Sequence, residues 1–293
     1  MPATVINGKR LAGETLDRTA RRAAALSKQG CKPCLAALWI GDDPATASYA
    51  RSQKRLAKAA RIAYRPVSLQ QTAGVHEAEQ AVDALNADAA VHGIMLFLPV
   101  PEPIDGFALQ QRIAPAKDVE GVGAENLGLL AMGRPALAPC TAAAAMACVR
   151  SACETIEGKQ AVVVGRSVIV GKPLAMLLLA AHATVTQCHT RTRDLAAQTR
   201  RAEILVAAAG VPGLIGAEHV SPGAVVIDVG IHRLPADAPA GKKMKIVGDV
   251  RFQEVAPVAA AITPVPGGVG PLTVAMLLEN TVTACERSLR ATS

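Results

Sequence analysis

At 293 residues the chain is long enough for two domains of ordinary size; with 51% hydrophobic and 19% charged residues it reads as globular rather than disordered. Aromatics make up only 2%, so the core must come from Ala, Val, Leu and Ile, which suits buried parallel strands flanked by helices. The formal charge of +7 favours anionic partners, and without a basic run interleaved with aromatics it points to phosphorylated cofactors or polycarboxylate substrates, not to nucleic acid.

The longest apolar stretch, Ala136 to Val149, is too short for a membrane span, is interrupted by Pro139 and ends at Arg150. The N-terminus MPATVINGKR lacks the apolar run of a signal peptide, so the expectation is a cytoplasmic protein with no membrane partner. Seven cysteines are scattered without a disulfide framework. Cys31 and Cys34 form a single CxxC with no second ligand pair, and they read as two small residues near a strand start. No metal is expected.

In chain order, Leu35–Ile40, Gly93–Leu98, Ala161–Val164, Ala183–Gln187, Ile204–Ala208 and Val225–Val229 read as strands. Thr46–Ala60, Glu77–Ala87, Ala142–Cys153, Pro173–Ala181, Leu195–Arg200 and Pro271–Leu289 read as helices. Strands alternating with helices predict an α/β fold with parallel sheets. A boundary falls near Pro139–Thr141, after the proline-rich loop 99–106 and before a fresh strand–helix–strand run.

The segment AVVVGRSVIVGKPLAMLLL carries the strongest local signal. A buried strand ends at Val164, a turn holds Gly165, Arg166, Ser167 and Gly171, and a helix follows with Pro173 near its start. Glycines there let backbone approach a diphosphate at a helix N-terminus. The spacing is not GxGxxG, and an ordinary strand–turn–helix gives the same pattern. The next strand runs into CHTRTRDL, where an NAD-preferring site would carry an acidic residue for the ribose hydroxyls. His189, Thr190, Arg191, Thr192 and Arg193 stand there instead. With Arg166 they form a basic, hydroxyl-rich pocket suited to a 2′-phosphate, which favours NADP over NAD.

GRSVIVGKP, PGAVVIDVGIHR, IVGDVRF and ITPVPGGVGPLTVAMLLENT, together with IGDDPATASYARSQK, GIMLFLPVPEPID, KDVEGVGAENLG and PCT in the first half, resemble the methylenetetrahydrofolate dehydrogenase/cyclohydrolase family. The resemblance runs from about Val5 to Thr283. It implies a substrate-binding α/β domain (1–141 plus 271–293, for a tetrahydrofolate-type substrate), a Rossmann-type NADP-binding domain (142–270), an active site in the cleft between them, and a homodimer. It assigns cofactor binding to Gly165, Arg166, Ser167, Ile169, Gly171, Thr190, Arg191 and Ile231. Substrate binding falls to Tyr49, Glu120 and the loop of Pro266, Gly267, Gly268, Val269, Gly270 and Pro271; Asp118 and Thr273 are retained beside these.

The departures concern chemistry. The family reaction first moves a hydride to the nicotinamide, a step needing position and electrostatics and no enzyme acid or base. Water then attacks the methenyl cation, and here a titratable group helps. The family uses a Tyr-x-x-x-Lys pair on one helix face. This chain keeps Tyr49 but has Gln53 in place of the lysine, and an amide is no acid or base near pH 7. Lys54 is rotated by roughly 100° along the helix. Phe97 replaces the lysine's glutamine partner, Glu120 replaces an aspartate that contacts the pterin, and Ala142 and Ala144 replace a proline and a glycine. The expectation is an NADP-dependent methylenetetrahydrofolate dehydrogenase with cyclohydrolase activity lost or weak. The alternatives are a paralogue for a different pterin or one-carbon substrate, and a catalytically silent NADP-binding subunit.

Overall fold

The structure, a computed structural model, describes residues 3–235 and 244–292. In chain order it runs β1 (Thr4–Val5), α1 (Gly8–Lys28), β2 (Cys34–Ile40), α2 (Pro44–Ala59), β3 (Ala63–Leu69), α3 (Val75–Ala87), β4 (Gly93–Leu96), α4 (Gly106–Gln111), α5 (Ala124–Ala131) and α6 (Cys140–Ala152). It continues β5 (Gln160–Val164), α7 (Gly171–Ala180), β6 (Thr184–Cys188), α8 (Leu195–Thr199), β7 (Ile204–Ala207), β8 (Val225–Asp228), β9 (His232–Pro235), β10 (Met244–Val247), α9 (Phe252–Val255), β11 (Ala261–Ile262) and α10 (Gly270–Thr292). Two compact units result: Gly13–Cys140 with Val274–Ser293, and Thr141–Thr273 with Met1–Ala12.

The unit built on the first half holds a parallel sheet in the order β3-β2-β4. Its central strand, CLAALWI, is buried almost throughout, as a strand covered on both faces should be. Neighbouring residues of β2 feed opposite faces. Leu35 packs with Leu277, Leu278 and Val282 of α10, and Ala36 and Leu38 pack with Val82 and Leu85 of α3. Each fully buried leucine contributes on the order of 2 kcal/mol. Strand β3 is absent from the predicted elements because Pro66 breaks its pattern; it lies at the sheet edge, where a missing N–H is tolerated.

The second unit carries a six-stranded sheet, β1-β11-β8-β7-β5-β6, parallel throughout. Its interior strands QAVVV, ILVA and VVID are buried runs rather than alternating ones. A separate antiparallel hairpin joins β9 and β10. Residues 3–6 belong with this sheet, whereas the sequence reading had them with the first half: Thr4 N–H donates to Ala260 O at 2.8 Å and Ile6 N–H to Ile262 O at 2.9 Å. A two-residue edge strand held by backbone alone leaves no periodic signature. Helix α7 opens at Gly171, two residues before Pro173, which still sits in the first turn, where N–H groups need no helical partner. Among the described residues no helix is long and apolar enough to cross a membrane.

Candidate active site

Helix α2 opens at Pro44, two residues ahead of the predicted start at Thr46. Asp43 caps it by accepting the Thr46 N–H at 2.8 Å, with Pro44 at the first position. The helix then carries Tyr49 and Gln53 one turn apart on one face. Gln53 is 1% exposed, and its amide is held at both ends: Oε1 accepts the Tyr64 hydroxyl at 3.0 Å, and Nε2 lies 2.9 Å from Met95 Sδ. Burial pushes the Tyr64 phenol up to about 12, so it remains a donor at any physiological pH. Lys54 is exposed and lines a basic concavity with Lys28, Lys32 and Lys58, on a different face from Gln53.

Phe97, 7% exposed, follows β4, and its N–H still donates to Leu38 O at 2.9 Å. Its ring meets Trp39 edge-on at 6.1 Å and Tyr49 edge-on at 5.8 Å, a favoured aromatic geometry. Tyr49 keeps 45% of its surface exposed; enough of its phenol is enclosed for burial, aided by the Glu120 carboxyl, to raise its pKa.

Glu120 is positioned by the residue two before it. The buried Asp118 accepts the Gly123 N–H at 2.7 Å, the Gly121 N–H at 3.1 Å and the Asn126 amide at 3.1 Å. Asp118 is therefore a loop clasp with its oxygens engaged. Burial, and then the neighbouring Asp118 charge, push the Glu120 carboxyl up to about 8. It is thus largely protonated at neutral pH, able to donate as well as accept. Ala142 and Ala144 are fully buried on α6.

In the other unit the turn after β5 is shaped by close approach. Gly165 has φ +123, and a Cβ there would fall 2.0 Å from Ala208 O; one on Gly171 would fall 2.2 Å from Gly165 O. The Ser167 hydroxyl accepts from Val170 N–H at 3.2 Å and Gly171 N–H at 3.4 Å, leaving its own proton to donate outward. Beyond β6, Thr192 Oγ1 accepts the His189 N–H at 2.8 Å, folding the CHTRTRDL segment back on itself. These two turns line a cavity of about 390 Å³ that includes Gly165, Arg166, Ser167, His189, Thr190 and Thr192. Its glycine-formed cradle and basic, hydroxyl-bearing wall fit a phosphorylated dinucleotide. Gly171, Arg191, Arg193, Ile169 and Ile231 do not line it; Gly171 is buried against Gly165, while Ile169 is 51% exposed and Ile231 60%. A larger cavity of about 520 Å³ beside the β9–β10 hairpin holds none of the predicted cofactor residues.

Residues 6–120 match the family described as tetrahydrofolate dehydrogenase/cyclohydrolase, catalytic domain, and residues 139–289 match its NAD(P)-binding domain. The chain belongs to this family. It is 48% identical over 291 residues to the bifunctional protein FolD of Bordetella avium, covering 99% of each chain. The bifunctional FolD structure from Campylobacter jejuni superposes with a TM-score of 0.91 at 38% identity, covering 98% of this chain and 99% of that one. The Trypanosoma brucei FolD structure, complexed with NADP cofactor and an inhibitor, gives 0.90 at 38% identity, covering 99% of both.

In this family member three polar groups missed by the sequence reading organise the site loops. Asn280 of α10 donates to Val119 O at 2.8 Å and to Ala138 O at 3.0 Å, joining the Glu120 loop to the segment before Cys140. Buried Asp249 accepts the Ala209 and Gly210 N–H groups at 2.6 and 2.9 Å, holding the loop that forms one wall of the cavity lined by Gly165 and Thr190. His232 Nε2 lies 2.7 Å from the other Asp249 oxygen. Asp249 stands between Gly248 and Val250, while Asn280 and His232 sit beside other polar residues, so no local pattern singles them out. In the C-terminal loop Gly8 N–H donates to Gly267 O at 3.0 Å, and a Cβ on Gly268 would meet Pro264 O at 2.6 Å. That loop is tightly folded for reasons of its own packing, beside any role in binding.

Proposed function

We propose that this family member is an NADP-dependent 5,10-methylenetetrahydrofolate dehydrogenase that forms 5,10-methenyltetrahydrofolate, with its cyclohydrolase activity lost or weak. The observation that carries the reading is the clamped Gln53 amide. It has no titratable proton, and Tyr64 and Met95 hold it where the family resemblance puts a lysine. Tyr49 does not replace the lysine as a base near neutral pH, because its phenol is raised above an already high value. Hydride transfer asks less of the chain. When bound, NADP supplies the hydride acceptor. Arg166 and the Ser167 and Thr190 hydroxyls offer charge and donors to a phosphorylated ribose, while protonated Glu120 offers the pterin a hydrogen-bond donor. Relatives named bifunctional support the dehydrogenase half of this reading, and the proposed loss rests on this chain's own residues Gln53 and Phe97 alone. The homodimer implied by the resemblance is part of the same reading, checked by light scattering.

The test is a paired assay: NADP-dependent oxidation of methylenetetrahydrofolate, then decay of authentic methenyltetrahydrofolate with and without enzyme. Oxidation without faster decay is expected. Enzyme-accelerated decay would overturn the loss of cyclohydrolase activity, and a rate rising with an apparent pKa near 8 would assign the proton traffic to Glu120. A second reading rests on the Trp39–Phe97–Tyr49 aromatic contacts, which reshape the Tyr49 surroundings for a different pterin. It predicts weak calorimetric binding of tetrahydrofolate; binding without turnover of any methylene-bearing folate would instead mark a silent NADP-binding subunit.

A further inference from the structure

Cys31, His92 and Cys285, none of them among the residues just described, come together in the core that Tyr64 and Met95 also pack against. Cys31 lies ahead of β2, His92 ahead of β4, and Cys285 on α10. Cys31 Sγ is 3.2 Å from Cys285 Sγ and 3.4 Å from His92 Nε2. The CxxC spacing is misleading: Cys34 points its N–H to His92 Nδ1 at 3.3 Å, and the sulfur facing Cys31 comes from 254 residues away.

The hydrogen bonds give the two sulfurs different roles. His92 Nδ1 accepts the Cys34 N–H, so in the neutral ring the proton sits on Nε2 and donates to Cys31. Burial and the Lys117 ammonium lower the His92 pKa, which keeps the ring neutral. Burial and the adjacent Cys31 raise the Cys285 thiol well above its ordinary value, so Cys285 keeps its proton and also donates to Cys31. Cys31 thus accepts from two donors, which orient its sulfur lone pairs between His92 and Cys285. It is half-buried, whereas Cys285 is fully buried. The same three residues have a metal-like spacing, within 4.8 Å of one another. A metal would need the Nε2 lone pair and hence a proton on Nδ1, the atom that here accepts from Cys34. The tautomer that suits the fold is the one that disfavours an ion.

We infer that Cys31 and Cys285 are a reversible disulfide site formed by hydroperoxides, with Cys31 the attacking sulfur, Cys285 the resolving sulfur and His92 a positioning residue. The Cys31 thiolate attacks one oxygen of hydrogen peroxide, breaking the O–O bond; hydroxide leaves, is protonated to water, and Cys31 becomes a sulfenic acid. The Cys285 sulfur then attacks Cys31, the S–O bond breaks, and the thiol proton leaves with the oxygen as a second water. Two thiols lose two electrons and one peroxide gains them. The linkage ties the segment ahead of β2 to α10 within one unit, and a thiol reductant reverses it.

The experiment treats the reduced full-length protein with hydrogen peroxide, alkylates the remaining thiols and maps peptides by mass. Expected is the loss of two of the seven alkylatable thiols, a Cys31–Cys285 linkage, and its disappearance with dithiothreitol. In Cys285→Ser, Cys31 is expected to accumulate as a sulfenic acid that a cyclic dione traps. In His92→Gln, Cys31 oxidation should slow about tenfold, the factor one hydrogen bond to a charged group is worth. A Cys31–Cys34 linkage, or Cys31 reacting no faster than the other cysteines, overturns the proposal. So does one equivalent of zinc copurifying with the protein and lost in Cys31→Ser. If the substituted proteins do not fold, mapping of the unsubstituted chain decides alone.

Discussion

The turn after β5 and the Tyr49–Gln53–Phe97–Glu120 cluster differ in what they ask of the chain. The turn works through backbone: Gly165 and Gly171 are there because another carbonyl occupies the space a Cβ would take. The cluster works through side-chain atoms on an ordinary helix, strand end and loop. Backbone requirements leave little freedom of residue choice at such a turn. Side-chain chemistry can be exchanged without disturbing the frame, and three of the four positions in the cluster depart from the family pattern while the fold around them stands.

The harshest way to break this comparison is Gly165→Ala. The added carbon meets Ala208 O at 2.0 Å on a residue with φ +123, and neither backbone segment can yield. NADP-dependent oxidation should fall by at least ~100-fold, the scale expected for a misplacement of about 1 Å, mainly through a higher KM for NADP. Unchanged kinetics would mean that this turn is not the cofactor site.

The cluster should behave in the opposite way, gaining a function when side chains are restored. Gln53→Lys places an ammonium beside the Tyr64 hydroxyl but leaves Phe97, which cannot accept from it. The single change is therefore expected to give little methenyl hydrolysis. Gln53→Lys with Phe97→Gln should raise it by about 100-fold, the low end of what a placed acid or base supplies. Hydrolysis in the double variant no faster than in buffer would show that the loss, if present, lies elsewhere.

The same division explains what was legible beforehand. The parallel strands and the Gly165 turn leave local signatures: apolar runs and glycines at fixed places. β3 was hidden by Pro66, and β1 by its two-residue length. Gln53 and Phe97 stood out only through comparison with a family pattern; that Tyr64 and Met95 clamp the amide depends on residues 11 and 42 positions away, which no local pattern encodes. Asn280, Asp249 and Cys285 act through partners still more distant in sequence or in loops of irregular shape. Arg191 read as a pocket residue from its position in CHTRTRDL, yet the fold-back of that segment on Thr192 leaves it outside the cavity lining.

Glu120 tests whether the cluster's electrostatics are tuned by the fold. Its folded pKa, about 8, lies above the ordinary carboxyl value of 4.5. Between those values the folded state holds a proton that the unfolded chain has released. Stability should therefore fall as pH rises from 4.5 to 8 and level off above. A loss of at least about 1.4 kcal/mol, one pKa unit's worth, is expected in denaturant titrations across that window. Glu120→Gln should remove most of this slope while leaving the acid-side stability close to that of the parent. A slope of equal size in the variant would assign the effect to other groups, with Asp228, raised to about 6 by burial, the next candidate.

The smallest effect separates two arginines that look alike in sequence. Arg166 lines the cavity proposed for the dinucleotide and Arg191 does not, although both are exposed. If Arg166 meets the 2′-phosphate, Arg166→Ala should lower the ratio of kcat/KM for NADP over NAD about tenfold, as for loss of one charged hydrogen bond. Arg191→Ala should change it less than about fivefold, since a solvated charge acting from outside the cavity contributes ~1 kcal/mol or less. Equal losses at both positions would mean that the segment after β6 rearranges when cofactor binds, swinging Arg191 inward. A larger loss at Arg191 than at Arg166 would put the phosphate beyond the His189–Thr192 turn, and the cavity would then hold another part of the dinucleotide.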